Sequence, residues 1–320
     1  MKKLWLLLLV GTTALSGLRA QSELDQSAFD QTIFNQYVVS PILINPGATG
    51  FENVHQLQMN LRRSYTGFTG TPQTYALNYN GPVGETFGLG AGLLTENVGA
   101  MSRLRFSMSA AFRYSLSEDL QMGTGLSAEF RRTQLDMDVM NNVFTDPDDQ
   151  QLQSLVDGES VFDAAFGAFG RYREYTTFGI SFPNLVLARL GDIAGDDPAG
   201  AFFRYYIFNA GHEFVIDGYN FSIEPSVMVR KLKNTPFQMD FNVLSRFLDE
   251  QLMAGLSYRT GTGSGIGILL GTAFKDFQVV YSYDISTSQT FQEYNSGSHE
   301  LMVGFEFGGQ KNRFDRAARY

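Results

Sequence analysis

The feature that most constrains this chain is a strict alternation of apolar and polar residues, which recurs from about residue 54 to residue 308. In the segment 102–115, the apolar residues Leu104, Phe106 and Met108 alternate with Arg105 and Ser107. Side chains two residues apart lie on the same face of a strand, so each such segment is predicted to form a strand with one apolar and one polar face.

Fourteen segments of this kind follow one another along the chain. They are residues 54–63, 72–80, 86–96, 102–115, 120–132, 161–173, 175–183, 202–216, 220–232, 237–247, 251–260, 265–274, 277–286 and 298–308. Strands of about 9–11 residues have the length needed to cross a bilayer when tilted. The pattern therefore favours an all-β fold: one antiparallel transmembrane β-barrel of about 14 strands.

The connections between these segments differ in length according to their order. Even-numbered connections are short, as at 117–119 and 275–276, whereas the long connections 133–160, 184–201 and 287–297 are all odd-numbered. Outer-membrane barrels have short periplasmic turns and long external loops. We therefore expect both termini to lie in the periplasm and the long connections to lie outside the cell.

The polar face of the segments carries charges of both signs, which are predicted to pair across neighbouring strands in a polar lumen. The residues concerned are Arg105, Arg113, Glu129, Arg131, Glu224, Arg230, Asp240, Arg246, Asp284 and Glu300. In a soluble β-sandwich, the alternative fold, the same residues would face solvent. The order of loop lengths, the strand number and a signal peptide favour the barrel.

The N-terminus has the order of a secretory signal peptide: Lys2 and Lys3, an apolar run over 4–10, then small residues up to Ala20. We predict a signal peptide over 1–20, an N-terminal periplasmic segment over 21–50, the barrel over 51–308 and a periplasmic tail over 309–320. A fourteen-stranded barrel is wider than its own side chains can fill. Residues 21–50 are therefore expected to form a plug, the alternative being a disordered leader.

Composition argues against several classes of function. The chain contains no cysteine, and 33 acidic residues outnumber 24 basic ones, which argues against thiol chemistry, cysteine-ligated metals and nucleic-acid binding. There is no G-x-S-x-G motif, and the glycines at 88, 90 and 92 precede no Lys-Ser/Thr pair. We expect neither an enzyme nor a cofactor, and we interpret these glycines as a smooth inner wall against which backbone can pack.

Several short motifs, taken in order, resemble one family. Phe34-Asn35-Gln36-Tyr37, the run 44–50 (INPGATG), the run 67–75 (GFTGTPQTY), the run 179–185 (GISFPNL), Glu224-Pro225-Ser226-Val227 and Tyr281-Ser282-Tyr283-Asp284 are similar to the PorP/SprF family of type IX secretion system outer-membrane proteins. The chain departs from the family pattern at Gly47-Ala48 and in its tail. The resemblance implies a Bacteroidetes outer-membrane protein, in a system associated with gliding motility.

The resemblance also implies partners: the periplasmic ring and lipoprotein components of the secretion machinery, or a large secreted adhesin with a C-terminal sorting domain. A barrel of this kind also contacts outer-membrane lipid. The candidate partner-binding residues are Phe34, Tyr37, Asn45 and Pro46 in the N-terminal segment, Asp146, Asp148 and Asp149 in a long loop, and Arg313, Arg316 and Arg319 in the tail. The acidic loop could instead hold a divalent cation or be merely solvated. The alternative function is a passive diffusion or uptake channel, and a filled interior would favour the partner role.

Overall fold

A computed structural model describes residues 34–67, 69–141, 150–186, 188–189, 205–216, 218–232, 237–261, 264–286 and 296–308. The predicted signal peptide, the loop carboxylates Asp146, Asp148 and Asp149, and the tail arginines Arg313, Arg316 and Arg319 lie outside these residues. The predictions made for them stay predictions.

Fourteen strands form the wall of the protein. They are β1 His55–Arg63, β2 Gln73–Val83, β3 Phe87–Val98, β4 Met101–Ser117, β5 Leu120–Leu135, β6 Glu159–Tyr172, β7 Thr176–Phe182, β8 Tyr206–His212, β9 Phe221–Lys231, β10 Gln238–Phe247, β11 Leu252–Arg259, β12 Gly265–Phe274, β13 Phe277–Ser286 and β14 Ser298–Phe307. Each strand pairs antiparallel with its neighbours in the chain, and β14 pairs back onto β1, with Phe307 opposite His55. The sheet is thus a closed barrel, which confirms the predicted fold class and strand number.

The remaining elements are short. Phe214–Ile216 continues the edge of β8 and pairs with β9, and Ala188–Arg189 pairs with β6. Among the described residues, one α-helix, α1, covers Gln150–Asp157 between β5 and β6. Within the described ranges, none of the helices has the length and apolarity required of a membrane span.

The two ends of the barrel differ in their connections. At one end, where β1 begins and β14 ends, strands are joined by residues 84–86, 118–119, 173–175, 248–251 and 275–276; we call this the short-turn end. The opposite end includes the three longest connections, 136–158, 183–205 and 287–297; we call this the long-loop end.

The outer face of the wall is apolar and exposed. In β4, Leu104, Phe106 and Met108 all point outward, and Met108 is 58% exposed. The other strands repeat this pattern, with Leu77, Leu89 and Leu126 among the exposed residues. So many exposed apolar side chains around a closed barrel are stable only against an apolar medium, because contact with water would cost free energy for each of them.

The inner face combines polar and apolar side chains. Gln58 and Asn60 of β1 are buried polar residues, as the alternation indicates. On β10 to β14, up to the strand that pairs with β1, however, a cluster of apolar residues points inward: Leu244, Met253, Leu269, Val280 and Met302. The sequence pattern did not indicate this cluster, and its packing partners lie in the chain that precedes β1.

Candidate functional site

The chain before β1 lies inside the barrel. Residues 34–54, here called the luminal segment, form three short 3-10 turns over Asn35–Val38, Pro41–Leu43 and Pro46–Ala48. Their side chains and backbone contact inward-facing residues of strands around the ring, from β1 and β3 to β10 and β14. Because the strands form a closed barrel, contact with the inner faces of opposite walls places the segment in the enclosed space.

The first turn of the luminal segment binds a buried group of charges. The backbone N–H groups of Asn35 and Gln36 donate to the Glu300 carboxylate, at 3.1 and 3.2 Å. The Asn35 side chain donates to Asp284 at 2.5 Å and accepts from Arg259 at 2.6 Å. One short turn is therefore held by residues of β11, β13 and β14.

The charges around this turn are connected by ion pairs. Arg62 lies 2.6 Å from Glu300 and 3.4 Å from Asp284, and Arg259 lies 3.2 Å from Asp240. Two guanidinium groups thus face three carboxylates. The donors of Asn35 and Gln36 add positive electrostatic potential next to the carboxylates, since N–H groups at the start of a helical turn are free to bind anions. The luminal segment is in this way a component of the charge network.

The next side chains fix the turn to β1 and β10. Asn60 donates to the Gln36 side-chain oxygen at 2.8 Å, and Asn242 donates to the Tyr37 hydroxyl at 2.8 Å. Burial, together with the nearby negative charge of Asp240, raises the pKa of the Tyr37 hydroxyl, so this group stays protonated. Val38 and Val39 pack on the inward apolar cluster of β10 to β14.

The middle of the luminal segment packs backbone against backbone. Asn45 accepts from the Gly47 N–H at 2.8 Å and donates to the carbonyl oxygens of Ala168 and Ile180, at 2.9 and 3.3 Å. A Cβ atom added to Gly47 would lie 2.8 Å from the Gly123 oxygen and 2.9 Å from the Gly167 oxygen. Only glycine allows this approach to the strands.

Glycines of the wall face the segment in the same way. Gly88 lies against the backbone of Thr49 and Gly50, and Gly125 lies against Pro46. This arrangement agrees with the interpretation of Gly88 and Gly90 as an inner wall that backbone can approach.

The last part of the segment is held near the short-turn end. Arg113 donates to the Gly50 oxygen at 2.8 Å. Phe51 packs edge-on against Phe169 with ring centroids 4.9 Å apart, and the Arg171 guanidinium lies 5.1 Å from the centre of the Phe51 ring. Arg171 also forms an ion pair with Glu52. Charged, aromatic and backbone contacts therefore hold both ends of the luminal segment.

The cavities that border the segment are small compared with the width of a fourteen-stranded barrel. One of about 20 Å³ lies beside Asn35 and Arg259, and one of about 40 Å³ lies beside Arg62 and Arg259. A larger one of about 130 Å³ lies between Tyr37, Arg171 and Arg246, toward the short-turn end.

All ten predicted lumen charges point inward. Glu129 pairs with Arg131 at 2.7 Å and with Arg105 at 3.7 Å, and Glu224 pairs with Arg246 at 2.7 Å. Arg230 donates to Gln238 at 2.7 Å. The other four, namely Arg113, Asp240, Asp284 and Glu300, belong to the contacts described above.

Of the candidate partner-binding residues, those in the luminal segment are covered by the barrel itself. Phe34, Tyr37 and Asn45 are 3%, 6% and 1% exposed, and Pro46 is also buried. Phe34 packs with Ala76 and Leu94 of the wall. In this arrangement their partner is the barrel, and a separate protein would reach them only if the segment moved.

Several residues that hold the luminal segment were not predicted from the sequence. Arg62 occupies a polar position in the alternation of β1, so its pattern could have identified it. Asn35 lies in a stretch without periodicity, and only its place in the family-like motif marks it. Phe169 is a large apolar residue at an inward position, where the pattern predicted small or polar side chains.

The described residues offer no group of three or more potential metal ligands. The three histidines lie on the outer face and hydrogen-bond to neighbouring hydroxyl groups: His55 to Tyr79, His212 to Thr176 and His299 to Tyr281.

A closed antiparallel barrel with an exposed apolar belt defines an outer-membrane β-barrel protein. The family model for the type IX secretion system membrane protein PorP/SprF matches residues 26–305. The chain therefore belongs to the PorP/SprF family, and the matched region includes the whole luminal segment.

Several solved structures are similar to the chain at low identity. The outer membrane protein Omp33 of Acinetobacter baumannii is 9% identical, with a TM-score of 0.48, over 81% of this chain and 100% of that one. The Ralstonia pickettii toluene transporter TbuX is 10% identical, with a TM-score of 0.49, over 83% of this chain and 92% of that one. The KdgM porin is 9% identical, with a TM-score of 0.41, over 79% of this chain and 99% of that one. No curated protein matches the chain.

Proposed function

We propose that this protein is a sealed outer-membrane barrel that supports secretion or surface anchoring of a large adhesin-like cargo through protein–protein contacts. The observation that supports this role over a channel is the luminal segment, which contacts opposite inner walls through buried polar groups. A diffusion channel needs an open path, whereas a docking platform needs a rigid barrel with two exposed ends.

The bonds of the luminal segment favour a fixed plug. Pulling the first turn away from β14 would leave Glu300, which is 2% exposed, without two of its donors. Removing partners from a buried charge costs about 3–5 kcal/mol, because the charge is left without compensation. Spontaneous opening would therefore be rare.

The two ends of the barrel remain as docking surfaces. With the short turns in the periplasm, the short-turn end and the tail, with Arg313, Arg316 and Arg319, face the ring and lipoprotein components. The long-loop end, including the loop with Asp146, Asp148 and Asp149, faces the cargo adhesin, because binding residues concentrate on loops held by a rigid scaffold.

The test is a pull-down of the tagged full chain from its native outer membrane in mild detergent, followed by mass spectrometry. We expect recovery of type IX components or of one large protein with a C-terminal sorting domain. A variant with residues 142–149 replaced by a Gly-Ser linker serves to locate the contact: it should lose the adhesin and keep the periplasmic components.

Planar-bilayer recording of the same preparation tests the alternative. We expect the wild-type protein to be silent at voltages where porins conduct. A monomer without partners that conducts steadily would contradict the proposal and support a diffusion or uptake channel.

A further inference from the structure

A groove of about 310 Å³ lies on the outer surface of the barrel, close to the long-loop end. It is formed by outward-facing residues of four adjacent strands, β13, β14, β1 and β2: Tyr281, His299, Leu301, Leu61, Arg63 and Tyr75. Its volume is in the range of sites that hold small molecules, which begins at about 300 Å³. Unlike the cavities beside the luminal segment, this groove faces the membrane.

The groove has a positively charged donor at its upper edge. Arg63 and His299 are directly opposite each other in the register of β1 and β14, and both are exposed. Within the described part of the chain, Arg63 forms no ion pair. The Arg63 guanidinium therefore has donors available next to the apolar side chains that line the groove.

The orientation of His299 is fixed by its neighbours. The Tyr281 hydroxyl lies 2.7 Å from Nδ1, and the Tyr283 ring lies 5.0 Å from the imidazole ring. When the Tyr281 hydroxyl donates to Nδ1, the ring proton is on Nε2, which becomes a donor directed away from β13. Arg63 and His299 together then offer donors to one acceptor group.

The medium around the groove determines what this acceptor is. Leu61 and Leu301 are half-buried and line the groove beside the charged edge, and the exposed Tyr75 and Tyr281 have the amphipathic character of residues at the membrane interface. An arginine at the edge of an apolar belt is stabilised by the phosphate groups of lipids, which form charge-assisted and bidentate hydrogen bonds with it. An acyl chain of the same lipid would lie along the two leucines.

We propose that this groove binds a phosphorylated lipid of the outer leaflet, with its phosphate on Arg63 and His299 and an acyl chain along Leu61 and Leu301. The choice of leaflet rests on the proposed orientation, with the long loops outside the cell. In an outer membrane, the phosphorylated lipid of that leaflet is of the lipid A type.

The test is native mass spectrometry of the full chain in detergent, titrated with diphosphoryl lipid A. The double variant Arg63→Met/His299→Leu removes both donors from an exposed position, and heat-modifiability on gels verifies that it folds. The matched control is Lys231→Met, which removes an outward-facing cation at the same end of the barrel but outside the groove. We expect lipid A to bind the double variant at least about tenfold more weakly, since two donors to a charged phosphate are lost, and the control to bind like the wild type.

Three further probes separate the sources of the phosphate: dephosphorylated lipid A, phosphatidylglycerol and inorganic phosphate. We expect dephosphorylated lipid A to bind the wild type more weakly and an excess of inorganic phosphate to leave lipid A bound. Equal binding to wild type and double variant, or equal binding of dephosphorylated lipid A, would overturn the proposal. Displacement of lipid A by inorganic phosphate would also overturn the proposal. A preference for phosphatidylglycerol over lipid A would overturn the choice of leaflet, because it would place the groove in the inner one. The double variant should still recover its partners in the pull-down, so the two proposals can fail separately.

Discussion

Glu300 is the residue whose loss should release the luminal segment most clearly. Its carboxylate accepts hydrogen bonds from the backbone N–H groups of Asn35, at 3.1 Å, and Gln36, at 3.2 Å. It also forms an ion pair with Arg62, at 2.6 Å. Each bond to a charged group contributes about 1.5–3 kcal/mol. The three are not additive, because water and neighbouring donors compensate in part. The measured cost of breaking a buried ion pair, about 3–5 kcal/mol, is therefore the better guide to Glu300→Ala.

The absence of cysteine from this chain provides a direct assay. Ser40 is 3% exposed and lies within the luminal segment, so Ser40→Cys introduces a single buried thiol. Labelling by a water-soluble maleimide then requires the segment to leave its place. A weakening of about 3 kcal/mol raises the open population, and with it the labelling rate, by about a hundredfold. We expect this increase when Glu300→Ala is added to Ser40→Cys.

The matched control is Glu224→Ala in the same background. Glu224 is also an inward-facing carboxylate with an arginine partner, Arg246, at 2.7 Å, but this ion pair lies within the wall and does not involve the luminal segment. Its removal tests whether any broken ion pair accelerates labelling. Equal labelling rates for Glu300→Ala and the parent, or an equal increase with Glu224→Ala, would refute the assignment of Glu300 as the anchor.

Three further predictions concern the membrane face, the close backbone contact and the barrel opening. Met108→Arg should destabilise the folded barrel by about 2–4 kcal/mol and reduce the heat-modifiable form on gels, whereas the inward-facing Ser107→Arg should be tolerated; equal yields of both would contradict the face assignment. Gly47→Ala should displace the luminal segment and produce measurable conductance in planar bilayers, because its Cβ would lie 2.8 Å from a strand oxygen, whereas Gly304→Ala, whose nearest atom would be 3.6 Å away, should stay silent. Deletion of residues 21–44 should raise single-channel conductance, and an unchanged conductance would refute the plug hypothesis.

The strands could be predicted because both of their faces follow the same two-residue alternation, one face set by the lipid and the other by the barrel interior. Outward positions meet lipid and inward positions meet the enclosed space, so the alternation extends over whole strands such as β4 and β14. The bounds agree to within a few residues for most strands. The exception is β8: the pattern predicted 202–216, of which 202–204 lie outside the described residues, and the regular ladder covers Tyr206–His212, followed by Phe214–Ile216. Glu213 lies at the interruption, and its carboxylate accepts hydrogen bonds from Ser222 and Arg246.

The site could be predicted only in part, for physical reasons that differ between residues. The charges of the wall follow the alternation, but their partners in the luminal segment lie in a stretch of short turns without any period. Asn35 and Glu300 are separated by 265 residues, and no local pattern encodes such a contact. The inward apolar cluster around Val280 and Met302 is explained only once Val38 and Val39 are placed against it.

The contacts of the luminal segment also relate it to the closure of the barrel. The barrel closes where β14, the last strand, pairs with β1, the first strand. The segment binds both sides of this seam: Gln36 contacts Asn60 of β1 through its side chain and Glu300 of β14 through its backbone. Arg62 of β1 binds the same carboxylate across the seam. The segment therefore adds bonds that hold the two sides of the seam together. Bonds across the seam suit the rigid platform for partners that we propose better than a pore that must open.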